Sequence, residues 1–417
     1  MPTTPKIHKG IISTFNGGMV ADPRTTDFRY AQVIKNFDAH TYPHKLVPFH
    51  DSISGDTAPT TSQKQNFCIA LRTGTTYSLY ALGVKSGAAT AEILYKNLTQ
   101  GSVNDLGDNA WVAPANNQSA GTTTNFNLFV YYQKQNLIYG AIDGTNIWAF
   151  SPSGSAFAST HQALTYTNIA QGLVHSKDDI LYIPYDNKIA KNNAGSWTVA
   201  ALTLPTDRLI NSICEYGNYL AIGTQHISGV GQSKVYLWDR DSSVTTLSES
   251  IDWGEGNLQI LEQVSGSLIG ISYGSVSTSQ FLGKITIREY SGGKPNVLKQ
   301  FIGDGNNVVL PIFKQKANDY LYFPFGISLN SVTQVGIWKI GRLTLNDPFS
   351  IVLDRTLSND TVITSFTLAG FFLIGDYMLI AYANNGVWAL SKTRTQNSFT
   401  ASGTYESLII NGGDATM

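Results

Sequence analysis

The sequence predicts an all-β fold, a seven-bladed β-propeller with four-stranded antiparallel blades and an irregular N-terminal arm. Three observations carry that expectation. Charged residues make up 14% of the 417 residues and aromatics 11%, with Gly, Ser, Thr and Asn abundant, a mixture that suits many short strands joined by turns. A short apolar run with a Trp near its middle keeps returning, around Trp148, Trp238, Trp338 and Trp388, and the last three are set on a spacing of 50 residues with one slot open. The open slot between Trp238 and Trp338 is filled by 284–290, another strand-like run, and a period in this range marks a repeat architecture. Finally, apolar hairpins recur in what reads as seven copies.

Taken in order, residues 1–44 do not match the repeat. Gly17-Gly18 permits backbone angles closed to other residues, Asp22-Pro23 restricts the bend beside it, and 28–37 follows neither a 3.6 nor a 2 period. This stretch reads as the arm, and 45–417 as the propeller. In each unit the landmark is the first strand of a hairpin, expected at 67–71, 136–142, 180–185, 219–224, 267–273, 320–325 and 377–382. A further apolar run precedes each, at 46–49, 128–132, 172–175, 210–214, 258–263, 308–313 and 363–372. More polar fourth runs follow several, at 92–95, 197–202 and 350–353. Intervals of 39 to 57 residues suit a four-stranded blade. The first interval is longer, about 69, and holds 100–124, which is rich in Asn, Gly, Ser and Thr and reads as an exposed insertion.

Middle strands sandwiched between blades explain runs such as 321–325, which do not alternate with polar residues. On the same logic Trp148, Trp238, Trp338 and Trp388 are expected to fill the wedge between adjacent sheets. A ring turned to the central funnel would instead be a sugar platform, and the period alone does not separate the two. The apolar stretch 366–383 is broken by Gly375-Asp376, where a two-residue turn would separate a pair of strands, so it reads as a buried hairpin and not as a membrane span. Lys plus Arg number 28 against 29 Asp plus Glu, with no run of one sign, which argues against nucleic-acid partners or an anionic membrane surface. Cys68 and Cys214 lie far apart inside apolar runs and read as buried free thiols. The first residues lack a charged head followed by an apolar core, so no secretory signal is expected.

Chemistry-bearing patterns are sparse. Asn384-Asn385-Gly386-Val387-Trp388 matches part of a sialidase box, and Trp238-Asp239 matches the WD dipeptide without the Gly-His element that should precede it. His40, His44 and His50 with Asp38 and Asp51 have no zinc spacing. Asp304-Gly305-Asn306-Asn307 and 252–257 could offer oxygens to calcium, yet neither continues into a bidentate Glu, and turn chemistry accounts for both. Glycoside hydrolysis needs two placed carboxylates, and Asp186, Asp239, Asp252, Glu255, Glu289 and Asp304 share no unit position. With neither a Gly-x-Ser-x-Gly elbow nor a phosphate-cradling Gly-Lys-Ser/Thr loop, the expectation is no enzyme: no catalytic residues, no cofactor and no metal.

The arm carries a resemblance. Phe15-x-Gly17-Gly18-Met19-x-x-Asp22-x-Arg24, then Lys35-Asn36-Phe37-Asp38 and Pro43-x-Lys45-Leu46-x-Pro48-Phe49, resembles the opening of β-propeller virion proteins of tailed bacteriophages. Residues 405–413 look like the point where longer relatives continue into a further β-domain, so this chain reads as a short homologue or a processed product. The match covers about 50 residues at the start and about 10 at the end. It implies a structural or adhesive virion component at the tail or its tip, assembled in the host cytoplasm and carried out on the particle. Its partners would be other virion proteins in a multi-copy assembly and a host surface glycan, and its arm residues Phe15, Gly17, Gly18, Met19, Asp22 and Arg24 would meet a partner. The alternative is a carbohydrate-binding or glycoside-hydrolysing propeller acting on host polysaccharide.

Overall fold

A computed structural model describes residues 62–393, except 86–90, 98–110, 113–126, 275–282, 358–365 and breaks of one to three residues in other loops, together with six short outlying strands. Near the N-terminus these are β1 (Gly18–Met19), β2 (Tyr30–Lys35), β3 (Phe37–Asp38), β4 (Val47–Pro48) and β5 (Ser52–Asp56). A three-stranded sheet follows, β6 (Ser62–Thr73), β7 (Thr76–Lys85) and β8 (Ala91–Asn97). Four complete blades come next. They are β9 to β12 (Phe129–Tyr132, Leu137–Ile142, Asn146–Phe150, Phe157–Ala163), β13 to β16 (Leu173–His175, Ile180–Tyr185, Lys188–Asn193, Ser196–Thr203), β17 to β20 (Arg208–Tyr216, Tyr219–His226, Gln232–Trp238, Glu249–Glu255) and β21 to β24 (Asn257–Val264, Ser267–Tyr273, Lys284–Tyr290, Asn296–Ile302).

The next blade splits its inner strand into β25 (Val308–Val309) and β26 (Gln315–Ala317), both paired to β27 (Tyr320–Leu329), and continues with β28 (Val332–Gly341) and β29 (Ser350–Thr356). The last comprises β30 (Phe366–Ile374), β31 (Tyr377–Asn384) and β32 (Val387–Thr393), and β33 (Thr404–Ser407) is the final described strand. Its fourth, outer strand is β5, antiparallel to β32 from Leu390↔Asp56 to Thr393↔Ser52, so the two ends of the repeat region close the ring by sharing one sheet. A closed ring leaves no blade face open, which removes the hazard of a bare sheet.

Seven apolar layers fill the gaps between successive sheets. Phe323, Trp338 and Phe349 meet Ile269, Ile287 and Phe301 in one layer. Phe67, Leu79 and Ala81 of the three-stranded sheet meet Phe372, Leu379 and Leu390 of the last blade, and its Tyr80, Leu82 and Ile93 meet Phe129, Ile138 and Trp148 of the next. Both faces of each sheet are thereby dry, which is why the middle strands read as unbroken apolar runs.

The fold is therefore the β-propeller with antiparallel four-stranded blades, but with six such blades where seven are expected. The physical reason lies in the first unit. The run at 46–49 gives no inner strand, because Val47 and Pro48 pair with Asp38 and Phe37. The stretch 67–71 is itself inner strand β6. Beyond β8, the polar segment supplies, among the described residues, a single bridge, Tyr95↔Val112, with Tyr95 N–H donating to the Val112 carbonyl and the reverse, each 2.9 Å. The hairpin at 366–383 is β30 and β31, joined by the Ile374↔Tyr377 pair. Among the described residues no helix is long and apolar enough to cross a membrane.

Candidate functional site at the axis

Each inner strand is the edge strand of its blade, so one row of its backbone N–H and C=O groups faces the axis or the neighbouring blade without a ladder partner. Buried backbone groups of this kind need partners. Side chains from the adjacent blade supply them. Gln171 donates from Nε2 to the Phe129 carbonyl at 2.9 Å and accepts the Phe129 N–H at 3.3 Å. Gln315 does the same for Leu373, at 2.7 and 2.8 Å. Ser212 accepts the Leu261 N–H at 3.1 Å and donates back to its carbonyl at 3.4 Å.

A second row uses asparagine. Asn127 donates to the Ile169 carbonyl at 3.2 Å, Asn168 to Ile210 at 3.1 Å and Asn211 to Leu258 at 2.9 Å. These residues stitch four successive sheets. Asn211 can reach because it sits at a register shift between Ile210 and Ser212, a bulge that swings its side chain out of the ladder.

Within this frame lies a cavity of about 410 Å³ lined by Gln171, Ile213, Cys214, Glu215, Glu262 and Lys314 among others. Lys314 is its centre. Its ammonium makes an ion pair with Glu262 at 2.9 Å and donates to the Ile213 carbonyl at 2.8 Å and to the Leu261 carbonyl, so one cation from the chain before β26 ties down β17 and β21. Glu262 has its other oxygen on the Gln263 N–H at 3.1 Å. The Glu215 carboxylate accepts from the Ser176 N–H and hydroxyl, both 2.5 Å. Thus all four carboxylate oxygens of these two acids are already occupied by donors of the chain. Burial, with Glu262 nearby, pushes the Cys214 thiol well above its ordinary range, which keeps it protonated and a poor nucleophile.

A second polar cluster lies at the junction of the β13–β16 and β17–β20 blades. Asp178 accepts from Arg240 Nε at 2.8 Å, the Tyr182 hydroxyl at 3.0 Å and the Ile180 N–H at 3.2 Å. Arg240 also lies 3.0 Å from His175 Nε2 and donates to the Asn218 carbonyl. The Lys177 N–H lies 3.2 Å from Nδ1, and because both neighbours can only donate, a neutral His175 ring accepts from one of them. His175 is fully buried, and burial together with Arg240 lowers its basicity. This network fixes two blades relative to each other.

Trp148, Trp238 and Trp338 have no exposed surface and lie in the layers between sheets, with indole N–H groups donating to the carbonyls of Ala141, Asp241 and Phe325 at 3.3, 3.2 and 3.1 Å. The Trp148 ring lies over Gly140 of the adjacent strand, where a Cβ would come within 2.0 Å of it. Trp388 is on β32, its side chain outside the described residues. Gly18 and Met19 form β1, whereas Phe15, Gly17, Asp22 and Arg24 lie outside the described residues, as do His40, His44 and His50. Among the described residues no group of three potential metal ligands occurs.

The six scattered acids are not brought together by the described contacts. Asp186 accepts from the Thr167 N–H, the Thr167 hydroxyl and the Asn168 N–H at 2.7 to 2.9 Å, a turn role. Asp252 and Glu255 lie on outer strand β20 and pair with Lys234 and Lys284. Glu289 accepts from Ser267 and Asp239 from the Asp241 N–H. Asp304 is near Ser328, at 3.5 Å. Sequence reasoning missed the axial rungs and Lys314. The 41- and 43-residue spacings of Asn127, Asn168 and Asn211 were the available signal.

No protein-family model and no curated protein matches this chain. Among solved structures, it is similar to the β-propeller domain of Cps50 (Swd1) from Myceliophteria thermophila, at 10% identity and TM-score 0.46, over 82% of this chain and 100% of that one. It is also similar to the N-terminal domain of Nup159 (10%, TM-score 0.46, 90% and 100%) and to Synechocystis apocarotenoid oxygenase (10%, TM-score 0.41, 86% and 95%).

Proposed function

We propose that the chain is a non-catalytic structural or adhesive component of a tailed bacteriophage virion, at the tail or its tip, acting as a rigid disc that meets neighbouring virion proteins or a host surface. One observation carries the non-catalytic half of this reading. The acids that share the axial cavity each engage both carboxylate oxygens with the chain's own donors, which supports a structural role for them. The virion half rests on the arm motif from Phe15 to Arg24 and its continuation to Phe49. Rim geometry supports a contact role. Leu343 and Leu345 are 45% and 71% exposed on a turn held by Asp347, which accepts from the Thr344 N–H and hydroxyl at 3.0 and 2.9 Å. Preorganised apolar side chains lower the ordering cost of binding.

The three-stranded β6–β8 sheet takes the seventh position of the ring in this reading, with the Tyr95↔Val112 bridge beyond β8 at its outer edge among the described residues. Deleting the gene from its phage tests the assignment. Particles that fail to assemble, or that assemble without adsorbing, agree with it, and particles unchanged in composition and infectivity overturn it. A second reading, a glycan-binding or glycan-hydrolysing propeller, is favoured by one fact, that Glu215 and Glu262 line the same cavity. A glycan array with a hydrolysis assay distinguishes the two.

A further inference from the structure

The outer strands of four blades, β12, β16, β20 and β24, each carry at least three exposed residues, as an edge facing solvent should. In β29 the six residues from Ser350 to Arg355 are all buried, including the charged Asp354 at 2% and Arg355 at 8% exposure. What lies beside it is the chain's own ends. Strand β2 runs parallel to β29 and is in turn paired with β1 on one side and antiparallel with β33 on the other.

The bonding within this layer is uneven. β2 and β33 share four registered pairs, from Ala31↔Ser407 to Lys35↔Thr404, whereas β2 and β29 share one, Lys35↔Leu353. Parallel pairing is also the weaker kind per residue. The layer is thus held together better than it is held to the blade. Both its connections leave from the same place, because β5 and β32 are neighbours in the last blade. Between β2 and β5, among the described residues, the chain forms the β3–β4 pair, a separate two-stranded sheet. Ring closure belongs to β5, so the layer can leave β29 without opening the propeller.

We propose that β1, β2 and β33 form an exchangeable strand clip, and that in the assembled state Tyr30–Lys35 of one copy adds to the Ser350–Thr356 edge of a second copy. The occupant is a second copy of this chain because the edge already accepts this segment in this register, and exchange of an identical element costs few new contacts. Repeated head to tail, such contacts are heterologous and build rings or filaments. The inference concerns the purified protein and does not depend on the virion reading.

Disulfide trapping tests it in the full chain. Lys35→Cys and Leu353→Cys are made in separate copies, mixed and oxidised, each variant alone serving as control for the native Cys68 and Cys214. The proposal predicts a disulfide-linked dimer only in the mixture. If cross-linking occurs solely within one chain carrying both substitutions, and the mixture stays monomeric, exchange is overturned. Because Leu353 is fully buried, a second measurement guards against misfolding: sedimentation of the full chain carrying Val33→Pro, which interrupts β2. The wild type is expected to self-associate and the variant to lose that association while melting as the wild type does. A wild type that is monomeric at its highest soluble concentration overturns the proposal.

Discussion

Replacing Lys314 with Met keeps the length of the side chain and removes its charge at the point where three blades meet. In the native chain the ammonium serves Glu262 at 2.9 Å, the Ile213 carbonyl at 2.8 Å and the Leu261 carbonyl. Stripping one partner from a buried ion pair costs ~3–5 kcal/mol. Lys314 and Glu262 keep 14% and 16% of their side-chain surface, so solvent returns some of this. Each carbonyl left dry adds about 1 kcal/mol or more. A net loss of about 3 kcal/mol follows, roughly a hundredfold in the folding constant. Glu262→Gln should cost about 1 kcal/mol, since Lys314 keeps both carbonyls. In the double variant the unpaired carboxylate is gone, so its loss should not exceed that of Lys314→Met alone by more than about 0.5 kcal/mol. Urea unfolding followed by fluorescence of the buried tryptophans reads all four proteins, with midpoints and slopes compared together. If Lys314→Met lies within about 0.5 kcal/mol of wild type, the scale of a surface ion pair, or if the two substitutions add, the axial staple is not what the geometry implies.

Three further outcomes are expected. Gly140→Ala should destabilise by ~1–3 kcal/mol and alter the near-ultraviolet dichroism, because the new methyl must displace the Trp148 ring. Gln315→Ala leaves both the N–H and the C=O of Leu373 without their partner, so hydrogen exchange at the Leu373 amide should accelerate at least tenfold while distant blades keep their protection. His175 has its folded-state pKa lowered by burial and by Arg240 and Lys177, against the opposing pull of Glu215 and Asp178. Below the unfolded value of 6.5 the unfolded chain therefore binds the extra proton, and stability falls as pH drops through that point. His161, lowered by burial, adds to the same slope. Midpoints measured from pH 8 to 5 should show a shallower acid slope in His175→Gln.

Where a strand is buried on both faces and bounded by turn residues, its limits could be read from the sequence alone. The runs at 180–185, 267–273 and 284–290 coincide with β14, β22 and β23, because an apolar run ending at Asp186-Asn187 or Gly274 has no other way to hide both faces. The ring's closure could not be read so. Ser52–Asp56 carries one apolar residue, Ile53, and becomes a strand only because β32 waits for it more than 300 residues away, 390 − 56 = 334 for one pair. The same blindness shifts the phase of the first unit, where 67–71 reads as the strand after an inner run at 46–49 and is part of the innermost strand β6. At the axis, a glutamine or asparagine in a strand pattern reads as a solvent-facing position. Gln171, Gln315 and Asn168 face a neighbouring blade's backbone instead, a long-range fact with no local signature.

In the proposed reading the acids at the axis hold the disc together and perform no chemistry. Release of reducing ends from bacterial surface polysaccharides by the wild type, Glu215→Gln and Glu262→Gln proteins tests it directly. The expected result is no turnover by any of the three, with both variants unfolding at lower urea than the wild type. Turnover by the wild type that either substitution abolishes in a protein still folded would contradict it.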